Sequence, residues 1–415
     1  MMPVSAVHND LGINAKSRDR GAGDGGIALQ GRRVRFDMTR TSGALLFDRE
    51  KDAKAQYRVC WCHRGIQTKG GEASIYRRKD GGGARMGGVI RCGSVWLCPV
   101  CALPVSEERR AELESGMKAW TGKGGHVYLL TLTFPHERDE GLADLMARMG
   151  KAMDKFRTGR PYRNMREQFG VVGVVRGLEV TWGQNGWHPH MHLLVFGKPG
   201  LEADQATIDI LRGAWVGALQ KVGLCPTAKI SWAMERALDL RGGAKAAQYI
   251  ADYGRDEKWG MSSELTRHAA KVGARGLSNF DGHVTPFQVL DWARTGDAVA
   301  VRLWREFADV FHGKRKLVYS AGLKEILGIR DRDDEEIAND DAQRPEEEIT
   351  GTIQQAQLAV LHSRRALGEF LDNVARYGGD QSDVDGWIRE IASRPKVARG
   401  TLATRGEYSE WKQAA

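Results

Sequence analysis

The sequence predicts an α+β protein, an antiparallel sheet backed by helices, with a cysteine-rich segment before it and a mostly helical C-terminal region after it. Three observations lead there. The segments Val127–Phe134, Val171–Trp182 and His188–Phe196 are rich in β-branched and aromatic residues, as strands are. The second and third are separated only by Gly183-Gln-Asn-Gly186, which matches a hairpin connection. Helical patterns flank these strands, the order of an antiparallel sheet with helices on it.

Each element follows in chain order. Residues 1–43 are rich in Gly, Arg and Asp with little apolar periodicity and read as a disordered basic leader. A cysteine-rich segment covers 55–105. A helix from about Glu107 to Trp120 carries Leu113 and Met117 four apart. The strand Val127–Phe134 stops at Pro135, and Leu142–Phe156 reads as a helix. After the hairpin come a helix over Gln205–Val222, a short strand around Lys229–Ala233 and a helix from Ala244 to about Arg255. These elements make a domain over 106–260. A basic extension (261–330), an acidic linker (331–352) and a helical C-terminal region (353–415) complete the chain. The last contains a helix from about Ile353 to Tyr377 with Leu358, Leu361, Leu367, Phe370, Leu371 and Val374 as its apolar positions.

With 415 residues, 41% of them hydrophobic, the chain can build a sizeable core and two or three domains. It has no apolar run long enough to span a bilayer, and Met1–Asn14 lacks a signal core, so the expected location is cytoplasmic. Formal net charge is +9, unevenly spread. The stretch Asp331–Glu348 holds ten acidic and two basic residues, leaving +17 on the remainder. Such a bulk favours a polyanion, with nucleic acid the first expectation.

Five of the six cysteines, Cys60, Cys62, Cys92, Cys98 and Cys101, fall close together. In a cytoplasmic protein that clustering reads as a metal site rather than disulfides. Cys98-Pro-Val-Cys101 is a CxxC knuckle with Cys92 just before it. Cys92, Cys98, Cys101 and one of Cys60 or Cys62 suit a structural Zn²⁺.

The segment His188-Pro-His-Met-His-Leu-Leu-Val-Phe196 is the most informative. Residues two apart in a strand share a face, so His188, His190 and His192 point one way, with His190 and His192 about 7 Å apart along the backbone. Two such imidazoles can hold one divalent ion. Across the hairpin, Glu179 falls roughly opposite His190 and offers a third ligand. Two histidines and a carboxylate leave positions open for substrate and suit Mn²⁺ or Mg²⁺ acting on a phosphate, but also non-haem Fe(II). On the next helix Lys245, Tyr249 and Tyr253 are four apart and form one stripe. Tyrosine is a weak nucleophile at neutral pH, which a metal polarising the phosphate offsets.

These residues together resemble the rolling-circle replication initiators of small plasmids, in the HUH endonuclease superfamily. Leu130-Thr-Leu-Thr133 is similar to the family's first motif. His188-Pro-His-Met-His192, led in by Glu179-Val-Thr181, resembles the two-histidine motif, and Gln248-Tyr-Ile-Ala-Asp-Tyr253 the tyrosine motif. Cys92–Cys101, Glu264-Leu-Thr266 and Thr285-Pro-Phe287 resemble the replication-protein branch. The resemblance covers roughly 58–330. It implies an HUH-type sheet, His190 and His192 as metal ligands, and Tyr249 as nucleophile, with Tyr253 as alternative or as agent of a second strand transfer. It implies a site-specific nick in single-stranded or supercoiled origin DNA, a 5′-phosphotyrosine link, and a free 3′-OH for host helicase and polymerase to use. Asp252 stands where the family often has Lys, and Lys245 where some members have Glu, so the route that ends a replication round is left open.

Lys245 and Arg255 beside the tyrosines are expected to meet DNA. So is the basic segment Arg302–Lys324, where Lys314-Arg-Lys316 is interleaved with Trp304, Phe307, Phe311 and Tyr319; basic residues neutralise phosphates and aromatics stack on unpaired bases. The same pattern also fits a helix that turns its aromatics inward. Three other readings fit part of the chain: a relaxase or single-strand transposase of the same superfamily, an Fe(II) enzyme on Glu179, His190 and His192, or a zinc-dependent DNA-binding regulator without catalysis.

Overall fold

The computed structural model describes residues 24–198, 204–253, 277 and 282–397, with side chains from Gly31 onward. Eight strands follow one another along these residues: β1 (Glu72–Arg78), β2 (Ala84–Gly87), β3 (His126–Leu132), β4 (Gly173–Gly183), β5 (Gly186–Gly197), β6 (Leu238–Arg241), β7 (Leu317–Tyr319) and β8 (Glu347–Gln354). They form two antiparallel sheets, one in the order β6-β3-β5-β4-β7 and one in the order β2-β1-β8. Helices back both sheets, the cysteine cluster precedes the larger one, and the C-terminal region is largely helical.

The larger sheet is covered on both faces, and the two-residue period of its strands decides which side chain goes where. Leu193 and Val195 of β5 join Tyr128 and Leu130 of β3 under the helices Leu142–Thr158, Arg160–Gln168 and Gln205–Lys221, whose Met149, Phe156, Tyr162 and Trp215 fill that layer. Leu194 and Phe196 face the other way with Val127 and Val175, against the helices Pro99–Gly122 and Gly243–Asp252 through Leu113, Ala246 and Ile250. His188, His190 and His192 share the face of Leu194 by parity, so the histidines sit at the rim of the layer that the tyrosine helix covers. The hairpin turns in two residues between the paired Gly183 and Gly186. Gly186 has φ +81°, and a Cβ there would lie 2.9 Å from the carbonyl oxygen of Arg138.

Several expectations need correction. Residues 1–23 of the leader lie outside the described residues; from Asp24 to Leu46 the chain is helical, and Met38, Thr39, Thr41, Ser42, Leu45 and Leu46 are buried. Val34, Met38, Thr41 and Leu45 form a stripe at helical spacing that the abundant Arg and Gly mask. Arg32 and Arg33 of this helix both pair with the buried Asp372, at 2.7 and 2.9 Å.

The acidic stretch is no solvated linker. It contains the short helix Asp334–Ala338 and enters β8 beside β1. Its carboxylates pair with arginines: Asp334 with Arg109 at 2.8 Å, Asp341 with Arg91 at 2.7 Å, Glu347 with Arg85 at 2.7 Å and Glu348 with Arg77 at 2.9 Å. Ile353 ends in β8 rather than opening a helix. The chain then runs through the helices Gln355–Ser363, Leu367–Tyr377 and Gln381–Ser393, and the first two are separated at Arg365 with φ +54°.

The short strand expected at 229–233 is the helix Ile230–Arg236, because Ala233 and Ala237 bury at helical spacing; the strand is β6, just beyond. In the basic extension the helix Ala298–Phe311 turns Trp304, Phe307 and Phe311 inward, each at most 1% exposed. These aromatics are core and are not available to stack on bases. The extension also supplies β7 to the larger sheet, so no structural boundary falls at 261. Arg255 and Glu264-Leu-Thr266 lie outside the described residues. No helix among the described residues is long and apolar enough to cross a membrane.

Candidate active site and metal centre

The hairpin register sets the site. Glu179 on β4 pairs directly with His190 on β5, and Thr131 on β3 pairs with His192. One Glu179 carboxylate oxygen lies 3.1 Å from His190 Nε2 and 3.3 Å from His192 Nε2. The three groups can place one ligand atom each within 4.8 Å of one another. Thr131 Oγ1 lies 3.0 Å from His192 Nδ1. If that nitrogen donates to the hydroxyl, Nε2 is left as the lone-pair acceptor, the arrangement that orients metal-binding imidazoles.

Glu179 sits deep in the site yet keeps 35% of its side-chain surface open. Burial opposes its ionisation. Hydrogen bonds from His190 and His192, and their charges, outweigh that and hold the carboxyl well below its usual range.

Tyr249 comes from the helix Gly243–Asp252, which packs on this face through Ala246 and Ile250. Its ring lies 4.6 Å from the His192 ring. The hydroxyl is buried without a hydrogen-bond partner among the described residues. Burial first, and then the negative charge of Glu179, push this phenol well above its ordinary value. The ring reaches over β4 where Gly177 leaves room: a Cβ there would be 2.3 Å from the Tyr249 hydroxyl oxygen.

Tyr253, one turn on, is 5% exposed, with Lys316 Nζ 5.1 Å from its ring centre. The structure therefore brings Tyr249 to the two histidines and turns Tyr253 into the core. Lys316 also lies 5.6 Å from the Trp96 ring, while Lys314, Arg315 and Lys245 are exposed.

His188, expected as a ligand, stands apart from the Glu179–His190–His192 group. Its Nδ1 is 2.7 Å from His136 Nε2 and its Nε2 is 3.1 Å from Thr133 Oγ1, so both ring nitrogens are engaged elsewhere. Burial, then the neighbouring charges of His190, His136 and His283, push its pKa down to about 3 and keep it neutral.

The second cluster is Cys62, Cys92, Cys98 and Cys101, all buried. Cys62 Sγ is 3.6 Å from both Cys98 and Cys101, and Cys92 Sγ is 3.8 Å from Cys101. Disulfide sulfurs would be about 2 Å apart. Four thiolates about 2.3 Å from one tetrahedral ion stand about 3.8 Å from each other, so the spacing fits a shared metal. Cys60 is excluded: its thiol faces the Gly43 carbonyl at 3.4 Å, on the N-terminal helix. Thr39 of that helix is 3.5 Å from Cys98, and His63 Nδ1 is 3.2 Å from Cys62.

Residues 85–223 match the family model described as replication protein. That segment is similar to replication proteins. Among curated relatives, "Protein rep" of Streptomyces lividans is 28% identical over 310 aligned residues, covering 60% of this chain and 66% of that protein. "Protein rep" of Lentilactobacillus hilgardii is 32% identical, covering 29% of this chain and 39% of that protein. "Neomycin resistance protein" of Streptomyces cyanogenus is 33% identical, covering 29% and 33%. The matches thus reach at most about two thirds of these relatives' lengths. No solved structure matches. The matched segment includes Cys92, Cys98, Cys101, Glu179, His190 and His192, whereas Cys62 and Tyr249 lie outside it.

The positions that sequence reasoning left without a role are Thr131, Gly177, Thr133, His136 and Thr39. Thr131 and Thr133 were visible within the Leu130–Thr133 motif, on alternate positions of a strand. Nothing in the sequence marks Gly177, whose role depends on a helix that crosses above it.

Proposed function

We propose that this chain initiates rolling-circle replication of a plasmid by cutting one strand of origin DNA and joining itself to the 5′ end through Tyr249. The Tyr249 oxygen attacks the scissile phosphorus and loses its proton. The bond from phosphorus to the 3′ oxygen breaks, and that oxygen takes up a proton as a free 3′-OH. The 5′ phosphate remains esterified to the tyrosine, ready for the reverse transfer that rejoins a strand. The observation that carries this reading is the Tyr249 ring 4.6 Å from His192, with its hydroxyl buried beside Glu179.

Glu179, His190 and His192 would hold Mn²⁺ or Mg²⁺, whose charge polarises the phosphate and offsets the carboxylate that opposes ionisation of Tyr249. Thr131 fixes the His192 ring, and Gly177 lets Tyr249 approach. The four cysteines would hold Zn²⁺ in a structural role, since a closed set of four thiolates leaves no position for substrate. The match to replication proteins supports origin DNA, single-stranded or supercoiled, as partner, with host helicase and polymerase acting after the nick.

Incubating the full chain with a single-stranded oligonucleotide and Mn²⁺, followed by a denaturing gel, tests the proposal. A covalent adduct is expected from the parent and from Tyr253→Phe, and none from Tyr249→Phe. An adduct lost in Tyr253→Phe and kept in Tyr249→Phe would reverse the assignment. No adduct with any origin fragment and divalent ion would overturn the nicking mechanism.

A further inference from the structure

Away from the tyrosine and the histidines, a cavity of about 250 Å³ opens between the N-terminal helix, β2, the cysteine cluster and the acidic helix Asp334–Ala338. Five arginines line it: Arg32, Arg35, Arg85, Arg91 and Arg344. Three of them have carboxylate partners, namely Arg32 with Asp372, Arg85 with Glu347 and Arg91 with Asp341. Asp340, the acidic residue on the wall, is paired with Arg332 at 3.3 Å.

Arg35 is different. Among the described residues its guanidinium makes no hydrogen bond and no ion pair, although it projects from a helix whose other face is core. Burial, then the positive charge of Arg32, push its pKa down to about 10, against the weaker pull of Glu107 and Asp372. The guanidinium of Arg344 makes no hydrogen bond or ion pair among the described residues either, but it is exposed and its charge helps hold Glu347 below the usual carboxylate range. Arg85 Nη1 is buried and donates no hydrogen bond, with Asp341 no nearer than 3.9 Å. The unpartnered guanidinium of Arg35 and the unpartnered Nη1 of Arg85 thus line one cavity, and the exposed Arg344 lines it too. An arginine that gives up solvent without gaining a partner costs free energy, so an arrangement of this kind is stable only if something else repays it.

We propose that this cavity binds a phosphate group through Arg35, Arg85 and Arg344. Planar guanidinium forks match the oxygens of a tetrahedral phosphate, and an anion satisfies the orphan donors at once. The phosphate can come from the backbone of bound DNA or from free phosphate. The inference does not depend on the tyrosine chemistry, and the adduct assay reports that chemistry separately.

The test uses the full chain and its Arg35→Gln and Arg344→Gln variants, with circular dichroism and zinc content as folding controls. Two readouts are taken: the rise in Tm with inorganic phosphate against chloride at equal ionic strength, and the salt dependence of oligonucleotide affinity. The parent should gain Tm with phosphate, and Arg35→Gln should lose that gain. If the phosphate is that of DNA, the log-affinity against log-salt slope should also shrink by roughly 0.7 to 0.9 for each variant. A lost Tm gain with an unchanged slope would identify free phosphate as the ligand. No phosphate-dependent Tm gain in the parent, together with an unchanged slope in both variants, would overturn the proposal. Arg344 is exposed, so its variant keeps the test decisive if Arg35→Gln fails to fold.

Discussion

Gly177→Ala isolates the approach of Tyr249 to the histidines without touching a functional group. A Cβ at 177 would lie 2.3 Å from the Tyr249 hydroxyl oxygen, whereas ordinary contact between carbon and oxygen needs roughly 3.3 Å. Something must move by about 1 Å. The strand cannot supply that movement easily, because Gly177 is paired on one side with His192 and on the other with Leu317. Tyr249 must therefore give way, at the end of a helix held by Ala246 and Ile250. A misplacement of about 1 Å costs on the order of 10²-fold in rate. Replacing glycine inside a strand also stabilises extended backbone by about 0.5–1 kcal/mol, so stability should hold while activity falls. Single-turnover adduct formation on a denaturing gel, with a thermal melt of the same preparation, measures both. An adduct rate within about threefold of the parent, in a folded variant, would refute the claim that Tyr249 acts from this position. That result would also be expected if Tyr253 were the nucleophile.

The other predictions concern the metal sites and the closure of the chain. Thr131→Val removes the 3.0 Å contact to His192 Nδ1 and should raise the Mn²⁺ concentration for half-maximal nicking by about 10- to 100-fold, with activity recovering at saturating Mn²⁺; unchanged Mn²⁺ dependence would count against His192 as a ligand. Cys98→Ser should release zinc in elemental analysis and unfold the cysteine-rich segment, while Cys60→Ser should keep a full zinc complement, because Cys60 faces the Gly43 carbonyl. Equal zinc content in the two variants would reject the Cys62 assignment. Asp372→Ala leaves Arg32 and the half-exposed Arg33 without their shared partner and should cost on the order of 1–2 kcal/mol, mainly through the less exposed Arg32, seen as a lower denaturant midpoint; a midpoint unchanged within error would mean that the N-terminal helix is held by its apolar stripe alone.

The histidine strand was legible because its geometry is local. A two-residue turn leaves one register for β4 and β5, and the period of two then decides that Glu179 faces His190. The position of Tyr249 was legible only through the family resemblance. Its own stripe shows that Lys245, Tyr249 and Tyr253 share a face, but not that Tyr249 meets His192 while Tyr253 enters the core. The choice between Cys60 and Cys62 failed for a related reason. It depends on the short helix Arg58–Trp61 and on what lies against it, which is a helix that composition had assigned to disorder.

The arginine-rich N-terminal helix and the acidic stretch before β8 mislead in the same way. Each segment taken alone has too much charge of one sign to fold, and composition reads it as solvated. Their partners are far away in sequence: Arg32 meets Asp372 at a separation of 340, and Arg109 meets Asp334 at 225. Charge pairing does not by itself draw such segments in, since partly exposed ion pairs each contribute about 0–1 kcal/mol. The apolar residues set among the charges do that. Met38 and Leu45 in the helix, and Ile337 and Ile353 around the acidic run, are each no more than 6% exposed. Once those residues are buried, the neighbouring charges are close enough to select one register, as Arg77, Arg85 and Arg91 do against Glu348, Glu347 and Asp341. The sequence signal for folding in these stretches is thus a sparse apolar pattern under a dense charged one. A composition average dilutes it, and a residue-by-residue reading at helical or strand period recovers it.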